Sequence, residues 1–306
     1  MKQSSSHIFL VRPANFGFNA ETATSNAFQN KLNLDPGELK EKVLAEFDAY
    51  VEALRAKGVD VKVIQDTMDP VKPDAVFPNN WGSFHADGKV ILYPMEAPNR
   101  RIEKRGDVID EFKADYKVEE LIDLSKYEKE GKFCEGTGSI IFDHIHKVAY
   151  ACLSPRTDKD VFIEVCDLLN YKPVCFTSTD ANGQEIYHTN VMMCVSEKFS
   201  VICLESIVNE EEKECVINTL EETGHEIVDI TFEQMNHFAG NMLSVCNNKG
   251  DEFLAMSQSA YDVLTDDQKE AIETYCEMLP VNIKTIETIG GGSARCMISE
   301  VFTLKK

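Results

Sequence analysis

One short pattern of residues recurs five times along this chain, and that recurrence constrains the fold more than any other feature. It begins at Gly82 as "GSFHADGKVILYP", at Gly138 as "GSIIFDHIHKVAYACLS", at Asn190 as "NVMMCVSEKFSVICLES", at Asn241 as "NMLSVCNNKGDEFLAMS" and at Gly292 as "GSARCMISEVF". Successive starts lie 56, 52, 51 and 51 residues apart. Each copy reads as a β-hairpin, with a short strand, a turn such as Asp87-Gly88 and a second apolar strand. A fixed period of this length signals one supersecondary unit used repeatedly.

Helical patterns with charged outer faces lie between the hairpins: "DPGELKEKVLAEFDAYVEALRAKG", "DKDVFIEVCDLLN", "NEEEKECVINTLEETG" and "TDDQKEAIETYCEML", with residues 106–118 as a weaker fifth. After each helix comes a short β-rich run, namely "VDVKVI", "EELIDL", "KPVCFTS", "HEIVDIT" and "VNIKTIETI". The expected unit is therefore helix, strand, loop, hairpin. The fifth hairpin runs out of chain before its second strand, so the N-terminal "HIFLVRP" is expected to complete it. The expected fold class is α/β, a five-fold pseudosymmetric α/β propeller over residues 1–306 as a single catalytic domain. Ring closure would also remove exposed sheet edges.

Bulk properties narrow the function. With 31 Lys plus Arg against 52 Asp plus Glu, the formal charge is −21. Such a charge disfavours nucleic acid or an anionic membrane as a partner. The opening "MKQSSSHIFLVRP" carries too few apolar residues for a signal peptide core, and a cytoplasmic location is expected. The ten cysteines are scattered through apolar runs without CxxC pairs, as buried free thiols would be. A small-molecule enzyme is the expectation, and a homo-oligomer is compatible with it.

In a closed ring, the loops leading into the first strand of each hairpin converge on one end of the axis. Those loops hold Asn79 and Asn80 in "FPNNW", Glu135 in "CEGTG", His188 and Asn190 in "YHTN", and Cys296 in "GGGSARC". A carboxylate, a histidine and a cysteine at corresponding places suit a nucleophilic thiol enzyme. The glycines would let a substrate lie against the backbone, and Arg295 would add positive potential favouring the thiolate. The "HIH" at residues 144–146 lies in an expected turn, and no metal is expected there or elsewhere. His237 in "NHFAGN" would enter the fourth unit at the same end.

The fivefold unit, "CEGTG", "HTN" and the C-terminal "GGGSARCM" together resemble the pentein superfamily of amidinotransferases, arginine deiminases and dimethylarginine hydrolases. "RPANFGFNAETATSN" and "FPNNWGSFHADGKVILYPMEAPNRR" are most similar to its small bacterial branch associated with citrulline hydrolysis. The resemblance implies Cys296 as nucleophile, His188 as general acid and base, and Glu135 as its orienting carboxylate, with no cofactor. It implies that Arg156 in "LSPRTD" holds a substrate carboxylate, with Arg100 and Arg101 as further candidates. Where guanidine-modifying relatives place carboxylates, this chain has Asn80 and Asn190. A buried guanidinium without anionic partners costs several kcal/mol, whereas a neutral ureido group needs only hydrogen bonds. Citrulline hydrolysis to ornithine, carbon dioxide and ammonia is therefore expected. An arginine deiminase or amidinotransferase, and a non-enzymatic binding protein, are the alternatives.

Overall fold

Five three-stranded sheets account for every strand of the described residues, which in this computed structural model are 2–306. Four of the sheets follow chain order. They are β3 (Gly82–Phe84), β4 (Lys89–Leu92) and β5 (Glu120–Asp123); β6 (Ile141–Asp143), β7 (Val148–Leu153) and β8 (Lys172–Thr177); β9 (Met193–Val195), β10 (Phe199–Ile202) and β11 (Glu226–Asp229); and β12 (Leu243–Cys246), β13 (Glu252–Ser257) and β14 (Glu277–Val281). In each, the first two strands are antiparallel and the third runs parallel to the second. A parallel neighbour needs a crossover, and a helix supplies it.

The fifth sheet joins the two ends of the chain. β15 (Ser299–Glu300) pairs antiparallel with β1 (His7–Arg12), Ile8 opposite Glu300 and Phe9 opposite Ser299. β1 in turn runs parallel to β2 (Asp60–Gln65) across the helix Pro36–Ala56. The N-terminal segment thus completes the last hairpin, as its sequence predicts. The physical unit is cut differently from the expected one, because each helix and third strand belong to the preceding hairpin. Neighbouring sheets also touch: Phe84 bridges Val301, Gln3 Nε2 donates to the carbonyls of both Phe142 and Val195, Ser244 bonds Ser196, and the N–H of Cys246 donates to the Ser5 carbonyl.

The helix Pro36–Ala56 shows how packing follows sequence. Asp35 caps it, accepting from the Gly37 N–H, and Val43, Phe47, Tyr50, Val51 and Leu54 form one buried face at helical spacing. Tyr50 also donates to the Ala294 carbonyl at 3.2 Å, fastening this helix to the turn that carries Cys296.

Two local expectations differ from the structure. The run "VNIKTIETI" is not a strand; the strand lies earlier, at Glu277–Val281, and Lys284–Gly290 is a helix. The carboxylate of Glu46 accepts the N–H groups of Thr285 and Ile286 at 2.9 and 3.0 Å, so a distant residue caps the helix that β-branched propensity disfavours. Pro280 is tolerated because β14 is an edge strand. The loops at Gly138 and Asn190 also make a helical turn, Gly136–Ser139 and Thr189–Met192, before their strands begin.

Candidate active site

Cys296 sits in a tight turn, Ala294–Met297, with its own N–H donating to the Ser293 carbonyl at 3.0 Å. Its Sγ accepts from two side-chain amides, Asn190 Nδ2 and Asn241 Nδ2, each at 3.3 Å. Asn241 is held for this task by all its bonds: Nδ2 also reaches the Asn190 carbonyl at 2.7 Å, and Oδ1 accepts the Arg295 N–H at 3.1 Å. Two amide N–H groups are thus aimed at one sulfur. Elsewhere burial pushes the thiols of Cys152, Cys166, Cys194, Cys203 and Cys276 up to about 12, which keeps them protonated and inert.

Glu135 is paired with His188, which lines the same pocket as Cys296. His188 Nε2 donates to Glu135 Oε2 at 2.9 Å, and the other carboxylate oxygen accepts the Glu96 N–H at 2.9 Å. Burial would push the Glu135 carboxyl up, but Arg156 and the His188 bond outweigh it and hold it down at about 2. Burial pushes His188 down to about 4, against the opposing pull of Glu135. His188 is thus neutral near pH 7, with its proton on Nε2 and a lone pair on Nδ1. A Cβ on Gly138 would lie 2.8 Å from Nδ1 and 2.3 Å from Asn80 Nδ2, so only glycine leaves this approach open.

The pocket that contains Cys296 and His188 is also lined by Asp74, Asn80, Arg100, Arg156, Tyr187 and the backbone of Gly290 to Gly292. Arg100 is paired with Glu103 through Nε and Nη2, both at 2.9 Å, and its Nη1 donates to Asn80 Oδ1 at 2.7 Å. Arg156 lies over the Tyr187 ring, 4.9 Å from its centroid. Its Nη2 donates to the Thr22 carbonyl and Ser25 Oγ at 2.8 and 2.7 Å, and its Nε contacts Glu96 at 3.1 Å. The segment around residues 19–30 therefore closes over the site. Asn26 donates to the Gly291 carbonyl, and a side chain at Gly291, whose φ is +63°, would strike Asn26 and Gln29. Free volume inside is only about 10 Å³.

Most sequence-selected residues converge here, but several are placed otherwise than expected. Arg295 is not in this pocket: its guanidinium points to the Ile298 carbonyl at 3.3 Å and Glu300 at 3.9 Å, because side chains of adjacent residues in a tight turn diverge. Asn80 spends its oxygen on Arg100, and Asn190 spends its amide on the sulfur, leaving Asn190 Oδ1 buried without a partner. Asn79 is fully buried with both amide atoms unpartnered, in the turn Pro78–Asn80 that packs on the Cys296 turn. Arg101 turns outward, its Nε and Nη2 donating to the carbonyls of Met95 and Glu96. His237 is exposed, bonded to the Glu233 carbonyl. His144 is held by the Tyr171 hydroxyl at 2.7 Å.

Two residues escaped the sequence analysis. Asn241 begins the fourth repeat, as Asn190 begins the third, and this correspondence was a usable signal. Asp74 carried none. It is buried beside Arg100, Oδ2 accepting from Asn19 at 2.8 Å and Oδ1 unpartnered.

A family model for N,N-dimethylarginine dimethylhydrolase, eukaryotic, matches residues 12–303. No curated protein sequence matches the chain significantly. Among solved structures, ArgZ, an arginine dihydrolase from the ornithine–ammonia cycle in cyanobacteria, superimposes with a TM-score of 0.75 at 16% identity over 96% of this chain. This chain spans 40% of that protein's length. The N-terminal domain of ArgZ alone, as a substrate-bound cysteine-to-serine variant, gives a TM-score of 0.74 at 16% identity over 97% of this chain and 99% of the domain. The dimethylarginine dimethylhydrolase from Pseudomonas aeruginosa, a cysteine-to-serine variant complexed with citrulline, gives 0.65 at 15% identity over 99% and 100%.

Proposed function

The chain belongs to the N,N-dimethylarginine dimethylhydrolase family of the pentein superfamily, and from that premise we propose that it is a cysteine-dependent hydrolase attacking the ureido carbon of citrulline. The five sheets act as blades of one propeller, and residues 1–306 as a single catalytic domain. Their loops bring the nucleophile Cys296, the proton carrier His188 and the orienting Glu135 to one end.

The observation that carries the substrate assignment is the set of buried polar atoms left without partners. These include Oδ1 of Asn190, whose amide reaches Cys296, and both amide atoms of Asn79, in the turn that packs on the Cys296 turn. Buried unpaired polar atoms are costly and call for a ligand that pairs them. A ureido group has a carbonyl that accepts and N–H groups that donate, and Asn79 offers both complements. Guanidinium has donors only and would leave the Asn79 N–H groups facing cations. Further along the pocket, Asp74 Oδ1 suits the α-ammonium, and Arg100 and Arg156 suit the α-carboxylate. Arg156 is engaged by Thr22 and Ser25. With so little free volume, residues 19–30 must move for citrulline to enter.

The chemistry follows from the proton positions. Neutral His188 accepts the Cys296 proton at Nδ1 as sulfur adds to the ureido carbon, while Glu135 steadies the imidazolium. That proton passes to the departing ornithine nitrogen, leaving a carbamoyl-thioenzyme. His188 then draws a proton from water, whose oxygen attacks the thioester carbon. Sulfur leaves and recovers the proton, and the released carbamate breaks down to carbon dioxide and ammonia.

Arginine is the second reading, and the bare oxygen of Asp74 together with ionised Glu135 favours it. Parallel kinetics on citrulline and arginine, with ornithine, ammonia and citrulline quantified, separate the two. Citrulline should be preferred at least tenfold in kcat/KM. A tenfold preference for arginine overturns the proposal, and no turnover of either returns the chain to a binding role.

A further inference from the structure

A second cluster lies at the far ends of the hairpins whose leading loops carry Glu135 and His188. Asp143 and His146 stand on the β6–β7 turn, and His225 precedes β11. One ligand atom from each lies within 4.8 Å of the others. Asp143 Oδ2 is 2.8 Å from His146 Nδ1 and 4.0 Å from His225 Nε2, and the Ser196 carbonyl is 3.1 Å from that same Nε2. Asp143 Oδ1 is occupied by the N–H groups of Ile145 and His146, so Oδ2 is the oxygen presented.

Two tautomers of His225 fit its neighbours. With the proton on Nε2, the ring donates to the Ser196 carbonyl at 3.1 Å and accepts the Thr223 hydroxyl at Nδ1. With the proton on Nδ1, it donates to Thr223 at 2.9 Å, the hydroxyl turns to the Thr219 carbonyl at 2.7 Å, and Nε2 is left with a lone pair on the Asp143 side. The second is the form in which His225 can be a ligand.

We propose that Asp143, His146 and His225, completed by the Ser196 carbonyl, form a structural site for a zinc-like divalent cation. The Asp143 Oδ2 separations from His146 Nδ1 and His225 Nε2, 2.8 and 4.0 Å, fall on either side of the roughly 3.3 Å edge of a tetrahedron with metal–ligand bonds of about 2.0–2.1 Å. In the ligand form, the Nδ1–H of His225 on Thr223 would orient the ring from behind, as ligand histidines require. On binding, His146 moves its proton from Nδ1 to Nε2 and His225 from Nε2 to Nδ1, so none need be released. The ion would tie the turns of the second and third sheets together, away from the chemistry.

Cobalt is the probe, because a site of nitrogen and oxygen ligands gives visible ligand-field bands without the thiolate charge-transfer band expected from any of the ten cysteines. The intact protein should bind one equivalent with those bands and gain thermal stability. His146→Ala, at a side chain 37% exposed, should fold and turn over substrate normally but bind cobalt at least ~10-fold more weakly. Asp143→Asn should lose the same bands. Equal cobalt binding by wild type and His146→Ala, or bands of thiolate character, overturns the proposal and leaves His225 as a neutral ring donating from Nε2 to the Ser196 carbonyl.

Discussion

Cys296 and Cys152 make an instructive pair, because adjacent residues of one turn, Asn190 and Thr189, serve both. Asn190 Nδ2 reaches Cys296 Sγ at 3.3 Å, and Thr189 Oγ1 lies 3.5 Å from Cys152 Sγ. Both thiols are buried. Thr189, however, places its one hydroxyl proton toward the Ser139 carbonyl at 2.5 Å, and Cys152 itself donates to the Ile186 carbonyl at 3.4 Å. Burial pushes the Cys152 thiol up to about 12, with only a small opposing effect of Thr189. Cys296 meets two amide donors and shares its pocket with a neutral histidine. Both thiols also have an oxygen to donate to, Asn241 Oδ1 at 3.6 Å for Cys296, so what sets Cys296 apart is the pair of amide N–H groups aimed at its sulfur.

The strongest way to break this contrast is to remove each sulfur. Cys296→Ala should abolish turnover while leaving the melting temperature nearly unchanged, and Cys152→Ala should keep turnover while losing about 1–3 kcal/mol of stability. Steady-state kinetics and thermal melts on both proteins decide it. Near wild-type turnover in Cys296→Ala would remove it as nucleophile.

Next in size is the proposed proton carrier, where His188→Ala should lower kcat by roughly 10²–10⁴. Its acid limb has a definite sign. His188 is lowered in the fold to about 4, so kcat/KM should fall as pH drops through about 4. The folded protein also binds fewer protons there than the unfolded chain, so stability is lost between about pH 6.5 and 4. Glu135, lowered to about 2, adds a second loss below about pH 4.5. An acid limb midpoint near 6.5 would mean that His188 is more hydrated than its burial implies.

The amide donors sharpen the contrast further. Asn241→Ala removes one donor to sulfur and should cut kcat about 10–100-fold, from roughly 1.5–3 kcal/mol for a hydrogen bond to a charged group. The loss should fall on kcat with KM little changed, a split that mere loosening of the pocket would not produce. A loss carried mainly by KM would reduce Asn241 to a packing role.

The comparison also shows what sequence carries. The period near 51 residues, the closure of the last hairpin by residues 7–12, and the convergence of Cys296, His188 and Glu135 were legible, because hairpins and their leading loops repeat in chain order. Side-chain direction was not. Arg295 neighbours Cys296 in sequence and leaves the pocket, whereas Asp74 enters it with no motif to mark it. The helix Lys284–Gly290 depends on Glu46, and the cover over Arg156 on residues 19–30. Such contacts between distant segments leave no local trace.

The smallest expected effect concerns discrimination between substrates. Asn79 and Asn190 carry no charge, and on the proposed function their unpartnered amide atoms meet a ureido group. Asn190→Asp would remove a donor from Cys296 as well as add charge, so the cleaner substitution is Asn79→Asp. It should weaken citrulline turnover and improve arginine binding by about 1–3 kcal/mol in relative kcat/KM, a shift limited because Glu135 and Asp74 already supply negative potential. The change should appear in the ratio of the two substrates, since loss of packing would lower both together. An unaltered ratio would place the ureido group away from Asn79 and leave Asn190 Oδ1 as its remaining acceptor.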